Sequence, residues 1–153
     1  MTYEVDQIDR QILKELQRDA SQSMDALSEA VHLSRNACWR RMRQMEEAGV
    51  IKGRVVLVEP EAVDLGQTVL VLIRAGAHSP DWLEKFQRAV RIRPEIVGAY
   101  RTSGDLDYML RVRVRDVKDY DRFYQQLIEL VPIADVSASF VMEELKETTA
   151  LPL

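Results

Sequence analysis

The stretch SMDALSEAVHLSRNACWRRMRQMEEAG, residues Ser23 to Gly49, contains a short apolar helix, a tight turn at His32-Leu33-Ser34 and a second helix. That second helix carries Arg35, Arg40, Arg41 and Arg43 with no acid before Glu46. Basic runs usually mark only a solvated helix surface, so the reading depends on which face holds the arginines. At about 100° per residue, Cys38, Met42 and Met45 fall within roughly 60° of one another and form the expected core stripe. Arg35, Asn36, Trp39, Arg40 and Arg43 occupy a separate sector of roughly 140° without a carboxylate among them, a face suited to phosphates and bases. The pattern is that of a helix-turn-helix placed in the major groove of double-stranded DNA.

Local signals agree with this. Ser34 is placed to cap the helix, its hydroxyl accepting from an amide two or three residues on, and the amide end attracts a phosphate. His32 stands where such a turn needs a left-handed residue, and Gly49 where a helix ends in one. Upstream, Ile8, Ile12, Leu13 and Leu16 recur at helical spacing over about Gln7 to Arg18, a first helix on which the next two pack. Ala26, Leu27, Ala30 and Val31 are the expected inner stripe of the second helix. Val50 to Val58 reads as a turn into a strand, a wing or a linker.

Of the 153 residues, 46% are hydrophobic and 30% charged, an ordinary globular composition. The N-terminus lacks a signal pattern, and the longest apolar stretch, around Val69 to Ile73, is too short for a bilayer, so the expectation is a cytoplasmic protein without a membrane partner. A single cysteine, Cys38, allows no intramolecular disulfide. On the stripe of Met42 and Met45 it reads as a small buried hydrophobe rather than a redox group. The net charge of −4 is unevenly placed: residues 1–55 hold nine bases and nine acids, and the remaining residues twelve and sixteen. DNA affinity therefore has to come from one concentrated patch, acting in several copies.

Glu59-Pro60-Glu61 and Gly66 interrupt the chain, dividing it into a reader at 1–54, a linker strand or hinge at 55–66 and a second module at 67–153. In the second module, Thr68 to Ala75 is a strand-like run, and Ser79-Pro80-Asp81 opens a helix lined by Leu83, Phe86 and Val90 and stopped near Pro94. Ile96 to Thr102 is a second strand, Ser103-Gly104-Asp105 a turn, and Tyr108, Leu110, Val112 and Val114 alternate with Met109, Arg111, Arg113 and Arg115 as a strand buried on one face. Asp116 opens a helix lined by Tyr120, Phe123, Tyr124, Leu127 and Val131, and Val136 to Met142 supplies the last strand. The predicted class is α+β, a winged helix-turn-helix followed by a βαββαβ ferredoxin-like domain.

In this order and spacing the chain resembles the leucine-responsive/asparagine regulator (Lrp/AsnC) family. The resemblance rests on Asp6-Gln7-Ile8-Asp9-Arg10-Gln11-Ile12-Leu13, Leu33-Ser34 followed by Cys38 and Arg41, Ala48-Gly49-Val50-Ile51-Lys52-Gly53, Ser103-Gly104-Asp105-Leu106-Asp107-Tyr108 and Val141-Met142-Glu143-Glu144-Leu145-Lys146. The tail, Thr148 to Leu153, and the aromatic helix around Tyr120 to Tyr124 are similar to the cysteine-detoxification-regulator subgroup. Ala37 and His32 depart from the family, which often has proline before the cysteine and glycine in the turn.

The resemblance implies dimers joined through the second domain, octamers of four dimers, and an amino-acid effector, cysteine in the subgroup, bound between dimers. By position the implied effector residues are Tyr100, Gly104, Asp105, Leu106 and Asp107, with Ser137, Ser139 and Phe140 opposite. Amides around Gly104 suit a carboxylate, and Asp105 or Asp107 an ammonium group.

Several roles stay open. Gly104-Asp105 is also ordinary turn chemistry, and Asp107 also reads as a strand-end residue bonded to backbone. The assigned DNA contacts are Asn36, Arg40 and Arg43 to base edges and Ser34, Arg35 and Arg41 to phosphates, with Arg41 equally placed to pair with an acid. Trp39 either packs on the first helix or touches sugar and thymine methyls. The rival functions are a stand-alone amino-acid sensor and a ferredoxin-like enzyme. His32 and His78 have no metal-ligand spacing, no nucleophile pattern or phosphate loop appears, and neither a catalytic residue, a metal nor a cofactor is expected.

Overall fold

In the computed structural model, residues 3–153 are described, so the reading of the N-terminus lies partly outside them. The chain forms two compact units, the first running to Leu57 and taking in Lys146–Leu153, the second Val58–Leu145.

In the first unit, α1 (Gln7–Arg18), α2 (Met24–Ala30) and α3 (Arg35–Glu47) surround a core of Ile12, Leu27, Val31, Cys38, Met42 and Met45. The stripe of α2 differs from expectation. Leu27 and Ser28 are buried while Ala26 and Ala30 are exposed, and the Ser28 hydroxyl satisfies itself on the Asp25 carbonyl at 3.0 Å. The small alanines supply too little apolar area to set the helix rotation against Leu27 and Val31. Gly49 adopts φ 72°, which lets the amides of Val50 and Ile51 fold back onto the Met45 carbonyl. The expected strand after it does not form within the chain. Val55 to Val58 carry no strand assignment, and Val56 is 87% exposed. The last residues, assigned by chain order to the second module, belong to this unit: the Gln17 side-chain amide donates to the Leu151 carbonyl and its oxygen accepts from the Leu151 amide at 2.6 Å.

The second unit contains a single-turn 3-10 helix, Pro60–Val63, and then β1 (Gln67–Ala75), α4 (Pro80–Ile92), β2 (Ile96–Arg101), β3 (Tyr108–Val114), α5 (Val117–Leu130) and β4 (Ile133–Phe140). The sheet is antiparallel in the order β2-β3-β1-β4. Period-two alternation puts Val69, Val71 and Ile73 of β1 and Leu110, Val112 and Val114 of β3 on one face, where Trp82, Phe86, Phe123 and Leu127 of the helices bury them. Leu70, Leu72, Met109 and Arg111 alternate onto the other face. β4 begins three residues earlier than expected, because Ile133 already pairs with Ala75. Both helices start at side-chain caps, Ser79 accepting from the Trp82 amide and Asp116 from the Asp119 amide. Among the described residues no helix is long and apolar enough to cross a membrane.

Leu127 is fully buried between α5 and the sheet. Leu127→Ala is expected to destabilise the second unit by about 2 to 5 kcal/mol, measured as a lowered urea midpoint at constant m-value.

Candidate nucleic-acid interface and effector loop

The turn before α3 is built as its sequence requires. His32 takes φ 54°, the Leu33 amide bonds to the Ser28 carbonyl at 2.9 Å, and the Ser34 hydroxyl accepts from the Ala37 amide at 3.3 Å. Cys38 is fully buried with Met42 and Met45, and burial pushes its thiol pKa up, which makes it a poor thiolate.

Arg41 does not belong to the outward face. Its Nη1 donates to Asp6 at 2.7 Å and to the buried Asp9 at 2.8 Å, tying the middle of α3 to the start of α1. Asp9 also accepts from the Tyr3 hydroxyl at 2.9 Å and from the Asp6 amide, while Asp6 caps α1 by accepting from the Asp9 amide. Of the two roles open to Arg41, its contacts match pairing with an acid, since leaving the buried Asp9 unpaired would be costly.

Ser34, Arg35, Asn36, Trp39, Arg40 and Arg43 are all exposed. Trp39 is 51% exposed, and the Arg43 guanidinium lies over its ring, 5.5 Å from the centroid. Arg35 lies 3.5 Å from Asp25 of α2, and Arg43 2.8 Å from Glu47 one turn on. Among the described residues the Arg40 side chain has no ion pair or hydrogen bond. The face without carboxylates of its own therefore borrows two from its surroundings. The Glu47 pairing was visible as an i,i+4 spacing, whereas the Asp25 pairing required the turn geometry. Both pairs are surface contacts worth at most about 1 kcal/mol, and they yield readily to phosphates.

In the second unit the loop after β2 is pinned at its far end. The Asp107 amide bonds to the Ile73 carbonyl, and its carboxylate accepts from the Ala75 amide at 2.8 Å, with His78 at 3.8 Å. Thr102 closes the loop by bonding to the carbonyls of Asp107 and Leu106. Asp107 thus acts as the strand-end residue. Asp105 is exposed and, among the described residues, has no partner. At Gly104 an added Cβ would meet nothing within 4 Å, and its φ is not positive, so the protomer itself gives no reason for glycine there.

The other implied effector residues are dispersed. Leu106 is half-buried in the loop. Tyr100 pairs with Met109, its hydroxyl folded over Gly98. Ser137 and Ser139 are exposed opposite Leu72 and Leu70, on the sheet face without helices. Phe140 does not join them: alternation turns it to the helix side, edge-on to Tyr120 at 5.3 Å. β2 and β4 are opposite edges of the sheet, so one protomer does not bring Tyr100 together with the two serines.

The comparisons with known proteins match both units. Residues 5–52 match the winged helix-turn-helix DNA-binding family, and residues 68–151, more than half of the chain, match the Lrp/AsnC ligand binding domain. The chain belongs to the Lrp/AsnC family. It is 49% identical over 153 residues to the glutamate uptake regulatory protein of Zymomonas mobilis, covering all of this chain and 93% of the relative. It is 44% identical to the DNA-binding transcriptional activator DecR of Escherichia coli, over 97% of this chain and 99% of the relative. Among solved structures, an AsnC family transcriptional regulator from Agrobacterium tumefaciens superposes with a TM-score of 0.93 at 48% identity, covering 96% of each chain. A transcriptional regulator from Neisseria meningitidis in complex with L-methionine does so with 0.92 at 33% identity, covering 97% of each chain. As a member of this family the chain is a DNA-binding transcriptional regulator with a ligand-binding domain.

Two outcomes follow for the reader. Asp9→Ala is expected to destabilise the first unit by about 2 to 4 kcal/mol, read from thermal or urea unfolding, because Arg41 keeps only the exposed Asp6 and the Tyr3 hydroxyl and Asp6 amide lose their buried acceptor. The Asp6 carboxyl is held below the ordinary carboxylate range, first by the Asp9 amide and then by the Arg41 guanidinium. A lowered folded-state pKa gives stability that is present above the unfolded value and is lost as pH falls through the folded one. Asp6→Asn retains an N-cap acceptor and is expected to flatten the fall of the melting temperature as pH drops below about 4, the ordinary aspartate value.

Proposed function

We propose that this regulator controls genes of amino-acid metabolism in the cytoplasm, reading its operator with α3 and responding to an amino-acid effector. Arg40 and Arg43, with Asn36, reach base edges; Ser34 and Arg35 hold phosphates; Trp39 carries the Arg43 guanidinium and touches the sugar edge. The observation that carries this assignment is the outward face of α3, where Arg40 stands without a counterion beside the exposed Asn36. Arg41 is left out of the contact set because its guanidinium is committed to Asp6 and Asp9. With zero net charge over the first 55 residues, one reader is weak, and the chain acts as a homodimer assembling to an octamer. The half-buried Leu70, Leu72 and Met109 on the sheet face without helices support dimerisation through the second unit.

For the effector, we place the carboxylate at the Gly104 amides and the ammonium at Asp105 rather than Asp107, whose carboxylate already holds the Ala75 amide. The open space at Gly104 supports this, since nothing in the protomer itself occupies it. Ser137 and Ser139 come from a neighbouring protomer. Cysteine, the effector implied by the subgroup resemblance, is the first amino acid to test, and methionine, found in the meningococcal relative's complex, the second.

Arg40→Ala is expected to cost on the order of 1 to 3 kcal/mol at one operator base pair in a binding-affinity scan, relaxing specificity there. An equal loss on every sequence would reduce Arg40 to a phosphate contact. Thermal-shift screening of the twenty amino acids, with light scattering for assembly size, is expected to give a stabilising hit that Asp105→Asn removes, because a ligand bound only by the native state stabilises it by mass action. A hit of undiminished affinity in that variant would remove Asp105 from the site.

A further inference from the structure

A cavity of about 490 Å³ opens between α4 and the edge strand β2, a size typical of small-molecule sites. Its helix wall is Leu83, Phe86 and Val90, and its sheet wall is Ala99 and the Tyr108 ring, which packs on Phe86 at 4.5 Å between centroids. The room comes from Ala99, which alternates onto the helix side opposite Leu110 yet has too small a side chain to fill the space up to α4.

The polar groups at this cavity are unbalanced in charge. Arg101, opposite Tyr108 and so on the same sheet face, borders it, and Arg91 borders it from the helix side. Among the described residues the Arg101 side chain has no hydrogen bond or ion pair, and the Arg91 side chain bonds only to the neutral Gln87, at its carbonyl and more weakly at its side chain. No acidic residue lines the cavity, in a chain where acids outnumber bases 25 to 21. Apolar walls with two uncompensated guanidinium groups suit an anion with a hydrophobic tail, and arginine matches a carboxylate in a bidentate fork. An amino acid fits this chemistry poorly. Its ammonium would enter beside two cations and find no carboxylate, so a desolvated like charge opposes it.

We propose that this cavity is a binding site for apolar monocarboxylates lacking an ammonium group, such as the 2-oxo acids formed when leucine or phenylalanine loses its amino group. Arg101 holds the carboxylate, Arg91 adds a second positive charge, and Leu83, Phe86 and Val90 cover the tail. Tyr100 of the implied effector set also borders the cavity, but Gly104, Asp105, Leu106 and Asp107 do not, so the proposal does not rest on placing the amino-acid effector at that loop. Through it the regulator senses deaminated carbon skeletons alongside amino acids.

The test is isothermal titration calorimetry on the full-length chain with 4-methyl-2-oxopentanoate, phenylpyruvate, leucine and phenylalanine. The 2-oxo acids are expected to bind, and Arg101→Gln to weaken them on the order of ten-fold or more by removing a charge-assisted bond. Arg101→Lys should fall between, and Arg88→Gln, on the same helix outside the cavity, should bind as the parent does. Unchanged melting temperatures without ligand confirm that the exposed substitutions fold. Any amino-acid heat that survives Arg101→Gln belongs to another site and leaves the proposal standing. The proposal is overturned if neither 2-oxo acid binds, if Arg101→Gln binds them undiminished, or if Arg101→Gln abolishes leucine or phenylalanine binding of equal strength.

Discussion

The carboxylate of Asp9 lies buried at the start of α1, and the reader helix is held through it. Burying a charge is tolerated only when partners replace its water, and Asp9 has three: the Arg41 guanidinium, the Tyr3 hydroxyl and the Asp6 amide. Because Arg41 sits midway along α3, the same contacts set the rotation of that helix about its axis. They turn Cys38, Met42 and Met45 inward, and the opposite sector, with Asn36 and Arg40, is left exposed. An arginine committed to two acids thus decides which arginines face outward.

The outward face is charged but not bare. Asp25 and Glu47 partly neutralise Arg35 and Arg43, which reduces the mutual repulsion of a basic helix while no DNA is present. Exposed pairs of this kind bring little stability and give way when phosphate arrives. For a net neutral reader, linked copies as proposed above would raise affinity, since each neutralised phosphate adds counterion release and each linked copy adds avidity.

In the second unit β1, one of two inner strands, bears the equivalent constraint. It is hydrogen-bonded on both sides, to β3 and to β4, and its Val69, Val71 and Ile73 are fully buried. Asp107 extends that constraint to the loop after β2 by bonding to the end of β1 through its amide and its carboxylate. The loop is therefore fixed at one end and open at Gly104 and Asp105. On the helix side, the small Ala99 leaves the edge strand uncovered, and a cavity bordered by Arg91 and Arg101 results.

Periodicity along the chain was enough to determine α1 over Gln7–Arg18, the Ser34, Ser79 and Asp116 caps, the left-handed His32 and Gly49, the alternation in β3 and the βαββαβ order. All of these depend on neighbours within a few residues, where spacing translates directly into geometry. Contacts between elements were beyond it. Helical spacing left Arg41 between a phosphate and an acid, and only the packing of α1 on α3 brought Asp6 and Asp9 to it. Strand reading started β4 too late, because its first residues are set by pairing with β1, and it was the family resemblance that grouped Phe140 with Ser137 and Ser139, which alternation along β4 separates. The roles of Asp107 and Asp105 divided only when β1 came alongside, and the cavity at Ala99 exists only because a helix and a sheet edge distant in sequence fail to close on each other.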